Sequence, residues 1–306
     1  MTITIGSRGS KLALWQAEWV RAELTTAGHK VGLRVIKTTG DKLPEASLAQ
    51  SGAKGLFIKE IEEALLSGAV DVAVHSLKDL PVEQPPGLEV AAIPRREDPR
   101  DVFLSRDGCG FADLVGGARV GTSSLRRESQ LRYLCPDVDV VPMRGNIDTR
   151  LAKLERGDCD ALVLAAAGLL RLGVGERISQ YFPVEQMCPA VGQGALAIEI
   201  RNGDAELAAA VSPLDDVSSH RAVTAERAVL RRLGGGCSVP IAAHAFEQAG
   251  PHHDASLLHL IAVVASPDGK RLVRARGSGL TNDPGTLGDS VAQDLLRQGA
   301  REILNP

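Results

Sequence analysis

The chain has 306 residues, of which 44% are hydrophobic and 24% charged, and its formal net charge is -3. That length allows two or three domains with real cores, and the acidic balance leaves no global basic field for nucleic acid or an anionic membrane. Aromatics, at 3%, are too few for base-stacking platforms, no apolar run reaches the length of a membrane span, and Met1–Ile5 lacks the regions of a signal peptide, so a cytoplasmic location is expected.

The chain opens on an alternating stretch, Thr2 to Ile5, which predicts a strand, followed by Gly6-Ser7-Arg8-Gly9-Ser10. Leu12, Trp15, Trp19 and Ala22 then recur at helical spacing and are expected to face the core, with Ser10 as N-cap. A strand, a Gly/Ser turn and a helix start present free N–H groups to an anion, and Arg8 adds charge. Val31 to Ile36 predicts a second strand. Thr38 to Lys54 shows no period, and a loop of that length is expected to be a lid. Phe57 to Leu66 predicts a helix stopped at Gly68. Asp71 to His75 predicts a buried strand that delivers Lys78 and Asp79 at its C-terminal end, the edge where open α/β sheets bind ligands.

Leu88 to Ile93 predicts another strand, and the charged, proline-bearing run from Arg95 to Asp101 predicts a crossover between domains. Beyond it the plan repeats. Val120-Gly121-Thr122-Ser123-Ser124 echoes Ile5-Gly6-Ser7, and Gly157 to Leu164 echoes Gly68 to Val74. Arg126 and Arg127 fall in the first turn of the helix after Ser124, where the macrodipole disfavours a cation. A local rule broken in this way points to a function. Arg144 precedes a Gly-Asn turn, Arg150 lies one turn into the next helix, and Arg171 follows another strand. Arginine rather than lysine at these positions suits bidentate capture of carboxylate or phosphate. Pro189 to Ala195 reads as a hinge, and the strand Leu196 to Ile200 is expected to re-enter the first lobe. From Ser218 onward a helix, three strands and a final helix lined by Leu287, Val291 and Leu295 predict a small α+β domain.

The five cysteines, Cys109, Cys135, Cys159, Cys188 and Cys237, are an odd number with no C-x-x-C pair, which excludes a disulfide framework or a zinc ribbon. No metal is expected. Cys237 alone has unusual surroundings: three glycines, Gly234 to Gly236, precede it and remove side chains beside the sulfur. It follows a helix C-terminus, whose partial negative charge disfavours a thiolate, and only His244 stands near as a base. Such a sulfur suits a single covalent attachment better than repeated turnover. The residues alone leave open a two-lobed binding protein for a polycarboxylate, a nucleic-acid-binding protein and a cysteine hydrolase.

The chain resembles the porphobilinogen deaminase (hydroxymethylbilane synthase) family over essentially its whole length. The resemblance is carried by the run from Arg8 to Gln16, Gly55-Leu56-Phe57-Ile58-Lys59-Glu60, and His75-Ser76-Leu77-Lys78-Asp79-Leu80-Pro81. Arg96 to Asp101, Gly121 to Arg127, Arg144-Gly145-Asn146, Pro189 to Gly194 and Gly235-Gly236-Cys237 complete it. It implies two periplasmic-binding-protein-like α/β lobes around a cleft and a small α+β C-terminal domain. The expected boundaries are 1–98 with 195–214 for the first lobe, 99–194 for the second, and 215–306 for the domain carrying the cysteine. The implied cofactor is a dipyrromethane in thioether linkage to Cys237. The implied reaction joins four porphobilinogen units to that primer with loss of ammonia and releases hydroxymethylbilane by hydrolysis.

Among site residues the resemblance implies Asp79 as the catalytic acid, beside Lys78, Thr122, Ser123, Ser124, Arg126, Arg127 and Arg144 on the cofactor. It implies Arg8, Ser10, Arg144, Arg150 and Arg171 on the substrate and growing chain, with Phe57 and Lys59 near the site. Leu170 departs from some relatives, which have lysine there, and leaves Arg171 in place. The partner implied is porphobilinogen, with no nucleic acid and no membrane, and the chain is expected to be a monomer.

Overall fold

The computed structural model describes residues 1–39, 58–234, 239–249 and 256–305. It divides into two compact units, Met1–Glu97 with Ala195–His220, and Asp98–Gly194 with Arg221–Pro306.

The first unit is built on a five-stranded sheet of order β2-β1-β3-β10-β4. Strands β1 (Thr2–Ser7), β2 (Lys30–Val35) and β3 (Val72–Ser76) run parallel. Strand β10 (Leu196–Arg201) enters antiparallel between β3 and β4 (Leu88–Ala92), so the return to the first lobe expected after Pro189–Ala195 is observed. Alternation assigns the two faces. Ile3, Ile5, Val72, Val74, Ile198 and Ile200 meet Ala17, Val20 and Leu24 of helix α1 (Lys11–Thr26) and Leu207 and Val211 of α6 (Ala205–Val211). Val70, Ala73 and Leu88 meet Ile61 and Leu65 of α2 (Lys59–Leu66) on the other side. Each such isoleucine or leucine contributes roughly 1.5–3 kcal/mol by leaving water.

Ser10 caps α1 by accepting from the Ala13 backbone N–H at 3.3 Å. The stripe assigned to its core face is not the buried one. Trp15 is exposed and the buried residues are Gln16, Ala17, Val20 and Leu24. The small residue Ala17 and the β-branched Val20 fit close against the sheet, and the bulky indole of Trp19 packs at the edge of that layer.

The second unit repeats the plan in a sheet of order β7-β6-β8-β5-β9. Strands β6 (Arg119–Gly121), β7 (Asp139–Val141) and β8 (Ala161–Ala165) are parallel, and β5 (Asp101–Ser105) lies antiparallel between β8 and β9 (Gln180–Tyr181). Helices α3 (Leu125–Leu134), α4 (Ile147–Glu155) and α5 (Ala166–Arg171) follow β6, β7 and β8. Phe103, Phe111 and Phe182 make mutual edge-to-face contacts at 5.2–6.3 Å between ring centroids and fill one side of the sheet.

The same unit holds an antiparallel sheet, β11 (Ile241–Ala249), β12 (Ser256–Ala265) and β13 (Leu272–Leu280). Helices α7 (Val217–Arg232), α8 (Pro284–Arg297) and α9 (Ala300–Leu304) accompany it, and Leu287, Val291 and Leu295 of α8 are buried as expected. The unit boundary at His220 falls within α7. No helix among the described residues is long and apolar enough to cross a membrane.

Helices α7 and α8 touch backbone to backbone at Gly288, where a Cβ would stand 2.3 Å from the Ala225 carbonyl oxygen and 2.5 Å from Ala228 Cβ. Neither neighbour is a flexible side-chain end, so a methyl forces the helices apart. Gly288→Ala is expected to destabilise the chain by about 1–3 kcal/mol despite its better helix propensity. Urea denaturation reads the effect, and an unchanged or higher midpoint rejects the contact.

Candidate active site

In the first unit the candidate residues share one sheet edge. β1 and β3 are parallel neighbours, so Arg8, just after β1, and Lys78 and Asp79, just after β3, lie at the same C-terminal edge. Leu77–Asp79 forms a single 3-10 turn. Its backbone is tied down by the Leu77 N–H donating to the Ala195 carbonyl at 3.0 Å. Gln16 Nε2 donates to Ser76 Oγ at 3.0 Å just before it. Asp79 is exposed, and among the described residues its carboxylate has no hydrogen-bond or ion-pair partner. Lys78 and Arg8 are half-buried.

In the second unit the three parallel strands again end at one edge, with Thr122, Ser123 and Ser124 after β6, Arg144 after β7 and Arg171 at the end of the helix after β8. Gly121, the last residue of β6, leaves room for its neighbour on β8: a Cβ there would meet Leu162 Cδ2 at 2.7 Å. Thr122 Oγ1 accepts from the Ser124 N–H at 3.2 Å and Ser123 Oγ from the Met143 N–H at 2.9 Å. Backbone donors thus occupy acceptor sites on both hydroxyls, and their own protons remain for an anion.

Arg126 and Arg127 are buried, 5% and 6% exposed, and converge on Asp101, which is fully buried. Arg126 Nη1 donates to Asp101 Oδ2 at 2.6 Å and to the Cys188 carbonyl at 2.6 Å. Arg127 Nε donates to Asp101 Oδ1 at 2.9 Å, and its Nη1 to the Val163 carbonyl at 3.2 Å. Gln193 Nε2 also donates to Asp101 Oδ1, at 2.9 Å, and to the Pro99 carbonyl at 2.7 Å. Burial alone would raise the Asp101 carboxyl; the charges of Arg126 and Arg127 outweigh it and hold the group at about 2. This carboxylate is what compensates two cations in the first turn of α3. Sequence reasoning missed it, because Asp101 reads there as the end of a charged crossover and is instead the first residue of β5. The readable signal is the clash of two arginines with a helix N-terminus, which demands a buried anion somewhere in the fold.

Arg150 donates from Nε to the Gly145 carbonyl at 2.8 Å, and the buried Arg171 donates from Nη2 to the Gly194 carbonyl at 2.7 Å. Two features mark residual capacity for anions. Arg126 Nε is a buried donor without an acceptor, and among the described residues the Arg144 guanidinium has no partner. A donor set of guanidinium and hydroxyl groups with unspent N–H and O–H fits a ligand carrying several carboxylates.

Cys159 and Cys188 are poor nucleophiles. Burial pushes the Cys159 thiol up to about 11 and raises that of Cys188 further above its usual range. Cys237 lies outside the described residues, as do Phe57 and the expected lid from residue 40 onward. No group of His, Cys, Asp and Glu among the described residues could hold a metal ion.

Two family models match the chain. Residues 3–209 match "Porphobilinogen deaminase, dipyromethane cofactor binding domain" and residues 220–297 match "Porphobilinogen deaminase, C-terminal domain". A porphobilinogen deaminase of Syntrophobacter fumaroxidans is 51% identical, covering 99% of this chain and 96% of its own. One from Syntrophotalea carbinolica is 49% identical over 99% and 95%, and one from Thiobacillus denitrificans 50% identical over 99% and 98%. The solved structure of the methionine-binding protein MetQ is similar at a TM-score of 0.45 and 12% identity, over 70% of this chain and 89% of that one.

Asp101 links the arginines to stability. Its folded carboxyl is depressed from the ordinary 3.8 to about 2, so the contribution is present above the unfolded value and lost as pH falls through the folded one. It amounts to on the order of 2 kcal/mol. Asp101→Asn, which strands two buried cations, is expected to cost about 3–5 kcal/mol at neutral pH. It should also flatten the stability loss between pH 4 and 2. Urea melts across that range test both, and a variant as stable as the parent at pH 7 overturns the assignment.

Proposed function

The chain belongs to the porphobilinogen deaminase family, and we propose that its arginine set holds the acetate and propionate groups of a pyrrole chain anchored at Cys237 while Asp79 serves the condensation chemistry. The observation that carries this reading is the placement of two arginines with unspent N–H groups, Arg126 with its Nε and Arg144 with its guanidinium, in the segments that follow the parallel strands β6 and β7 at one sheet edge.

When bound, the dipyrromethane cofactor would supply the free pyrrole α-carbon for the first new carbon–carbon bond, and the pyrrole last added would supply it for each later one; in every round the substrate's aminomethyl carbon–nitrogen bond breaks, ammonia leaves and the α-carbon gives up its proton. Every other contribution comes from the chain. Arg126 and Arg127 hold cofactor carboxylates with Thr122, Ser123 and Ser124, whose hydroxyl and backbone donors lie at a helix start. Lys78 adds a further cation. Arg8, Ser10, Arg144, Arg150 and Arg171 take the carboxylates of the incoming substrate and the lengthening product. Planar forks suit that task, since two parallel N–H donors match one carboxylate.

The Asp79 carboxylate stabilises the positive charge that grows on the substrate pyrrole as ammonia departs, an electrostatic contribution of the kind that dominates many enzymes. Its lack of a partner among the described residues supports this role, because a carboxylate already held by a cation would offer less. The product is hydroxymethylbilane and the enzyme a transferase acting on porphobilinogen.

Intact-mass measurement is expected to show the purified chain heavier than its encoded mass by a dipyrromethane, and Cys237→Ala to remove that increment together with activity. Wild-type protein at its encoded mass overturns the anchoring role. Asp79→Asn is expected to keep the adduct and lose about 10²–10³-fold in kcat, the usual effect of removing one electrostatic stabiliser. Single-turnover rates near wild type remove Asp79 from its role.

A further inference from the structure

Beneath the Asp79 turn the first unit holds a buried histidine–carboxyl pair that the reaction scheme does not use. Glu199 Oε2 accepts from His75 Nε2 at 3.1 Å, and the two side chains are 0% and 5% exposed. They sit on the α2 face of the sheet, where the neighbouring layer is apolar: Ile61, Leu65, Val70, Ala73 and Leu88. Glu199 Oε1 has no hydrogen-bond partner, and Glu62 of α2 turns a second buried, unpartnered oxygen, Oε1, into the helix–sheet layer. The other charged group on this face of β10, Arg201, is held at the far end by the Leu65 and Val70 carbonyls and Asp71. Apolar side chains of similar volume would serve stability at least as well as such a pair. Its presence therefore needs a reason tied to direction rather than to burial.

The register supplies that reason. Strand β10 arrives in the sheet more than a hundred positions after β3, so no short turn sets how the two align. Ser76 faces Leu196, His75 faces Ala197 and Ala73 faces Glu199; His75 and Glu199 are thus diagonal neighbours, within reach of each other across the ladder. A slip of one residue would turn Glu199 to the opposite face, into the layer of Ile3, Ile5, Val72, Val74 and Ile198. There its charge would have no imidazole. The same register fixes the start of β10 against the end of β3, where the Ala195 carbonyl receives the Leu77 N–H at 3.0 Å and orients the turn ending in Asp79.

We infer that the His75–Glu199 pair is a register lock whose task is to position Asp79, which makes both of them positioning residues for the condensation. Glu62 completes the arrangement. Burial, then the charge of Glu199, push its carboxyl up, with His75 opposing them.

The inference rests on the proposed role of Asp79, and a double-mutant cycle separates the two. Full-length holoenzyme variants Glu199→Gln, Asp79→Asn and the double variant are checked for adduct by intact mass and for fold by circular dichroism. Glu199→Gln is expected to leave the adduct and the KM for porphobilinogen within about twofold while lowering kcat at least about tenfold. The double variant is expected to lose no more than Asp79→Asn alone, because residues acting through one group are not additive. His75→Gln, which keeps a donor toward Glu199, should retain more kcat than His75→Leu, and it stands in if Glu199→Gln fails to fold. Wild-type kcat in Glu199→Gln, losses that multiply in the double variant, or equal kcat in the two His75 variants overturns the lock. Full activity in Asp79→Asn overturns the catalytic reading and the lock together.

Discussion

One carboxylate organises the second lobe. Asp101 is removed entirely from water and sits between two guanidinium groups that are themselves buried. A single aspartate in that position would be expelled or protonated, and two arginines at a helix N-terminus would repel the macrodipole. Together they satisfy each other, and Gln193 Nε2 adds one more donor to Asp101 Oδ1. The network ties the first residue of β5, the first turn of α3 and the 189–194 turn into one rigid piece. Through the Cys188 carbonyl, which accepts from Arg126 and from Gln130, it also fixes the segment leading into that turn.

This arrangement shows how the proposed anion site is compatible with a net charge of -3. The cations are few and are aimed by buried contacts. Asp101 spends part of the arginines' hydrogen-bonding capacity and leaves part: Arg126 Nε stays unsatisfied inside the protein, a donor for which a ligand carboxylate is a better partner than nothing. The cost of keeping such a donor unpaired is tolerated at sites built for charged ligands. The hydroxyls follow the same logic, since Ser10, Thr122 and Ser123 each accept from a backbone N–H and keep a proton to donate.

Much of this was legible in the residues because local rules and tertiary structure agree. Alternation revealed β1, a short apolar run marked β3, and the repeat of that run marked β8; glycine marked the end of α2, and Arg126 and Arg127 stood out because arginine at a helix start is locally wrong. Two readings failed for physical reasons. The Trp15–Trp19 stripe has helical spacing, yet the sheet selects the narrower face through Ala17, Val20 and Leu24, and periodicity cannot choose between adjacent faces of one helix. Asp101 stands in a run of charges that resembles a solvated linker. Nothing within that run reveals that its last residue begins a strand, because the partners that bury it, Arg126 and Arg127, lie 25 and 26 positions away. Cys237, the proposed cofactor cysteine, was legible as a sequence anomaly and through the family resemblance, and it lies outside the described residues.

The two five-stranded sheets share a strand order in which one antiparallel strand closes a parallel set, β10 in the first and β5 in the second. Neither strand reaches its parallel neighbour through a hairpin, so turn chemistry cannot align it. In both sheets that strand carries a carboxylate wholly removed from water, Glu199 and Asp101. Hydrophobic alternation alone tolerates a slip of two residues, which returns each side chain to its own face. A buried carboxyl does not, because the shift carries it several ångströms from the partners it is built to meet. Buried carboxylates are therefore well suited to the one strand in each lobe whose alignment the chain connectivity leaves open. The residues proposed for catalysis and anion binding hang from the sheet edge that this alignment fixes.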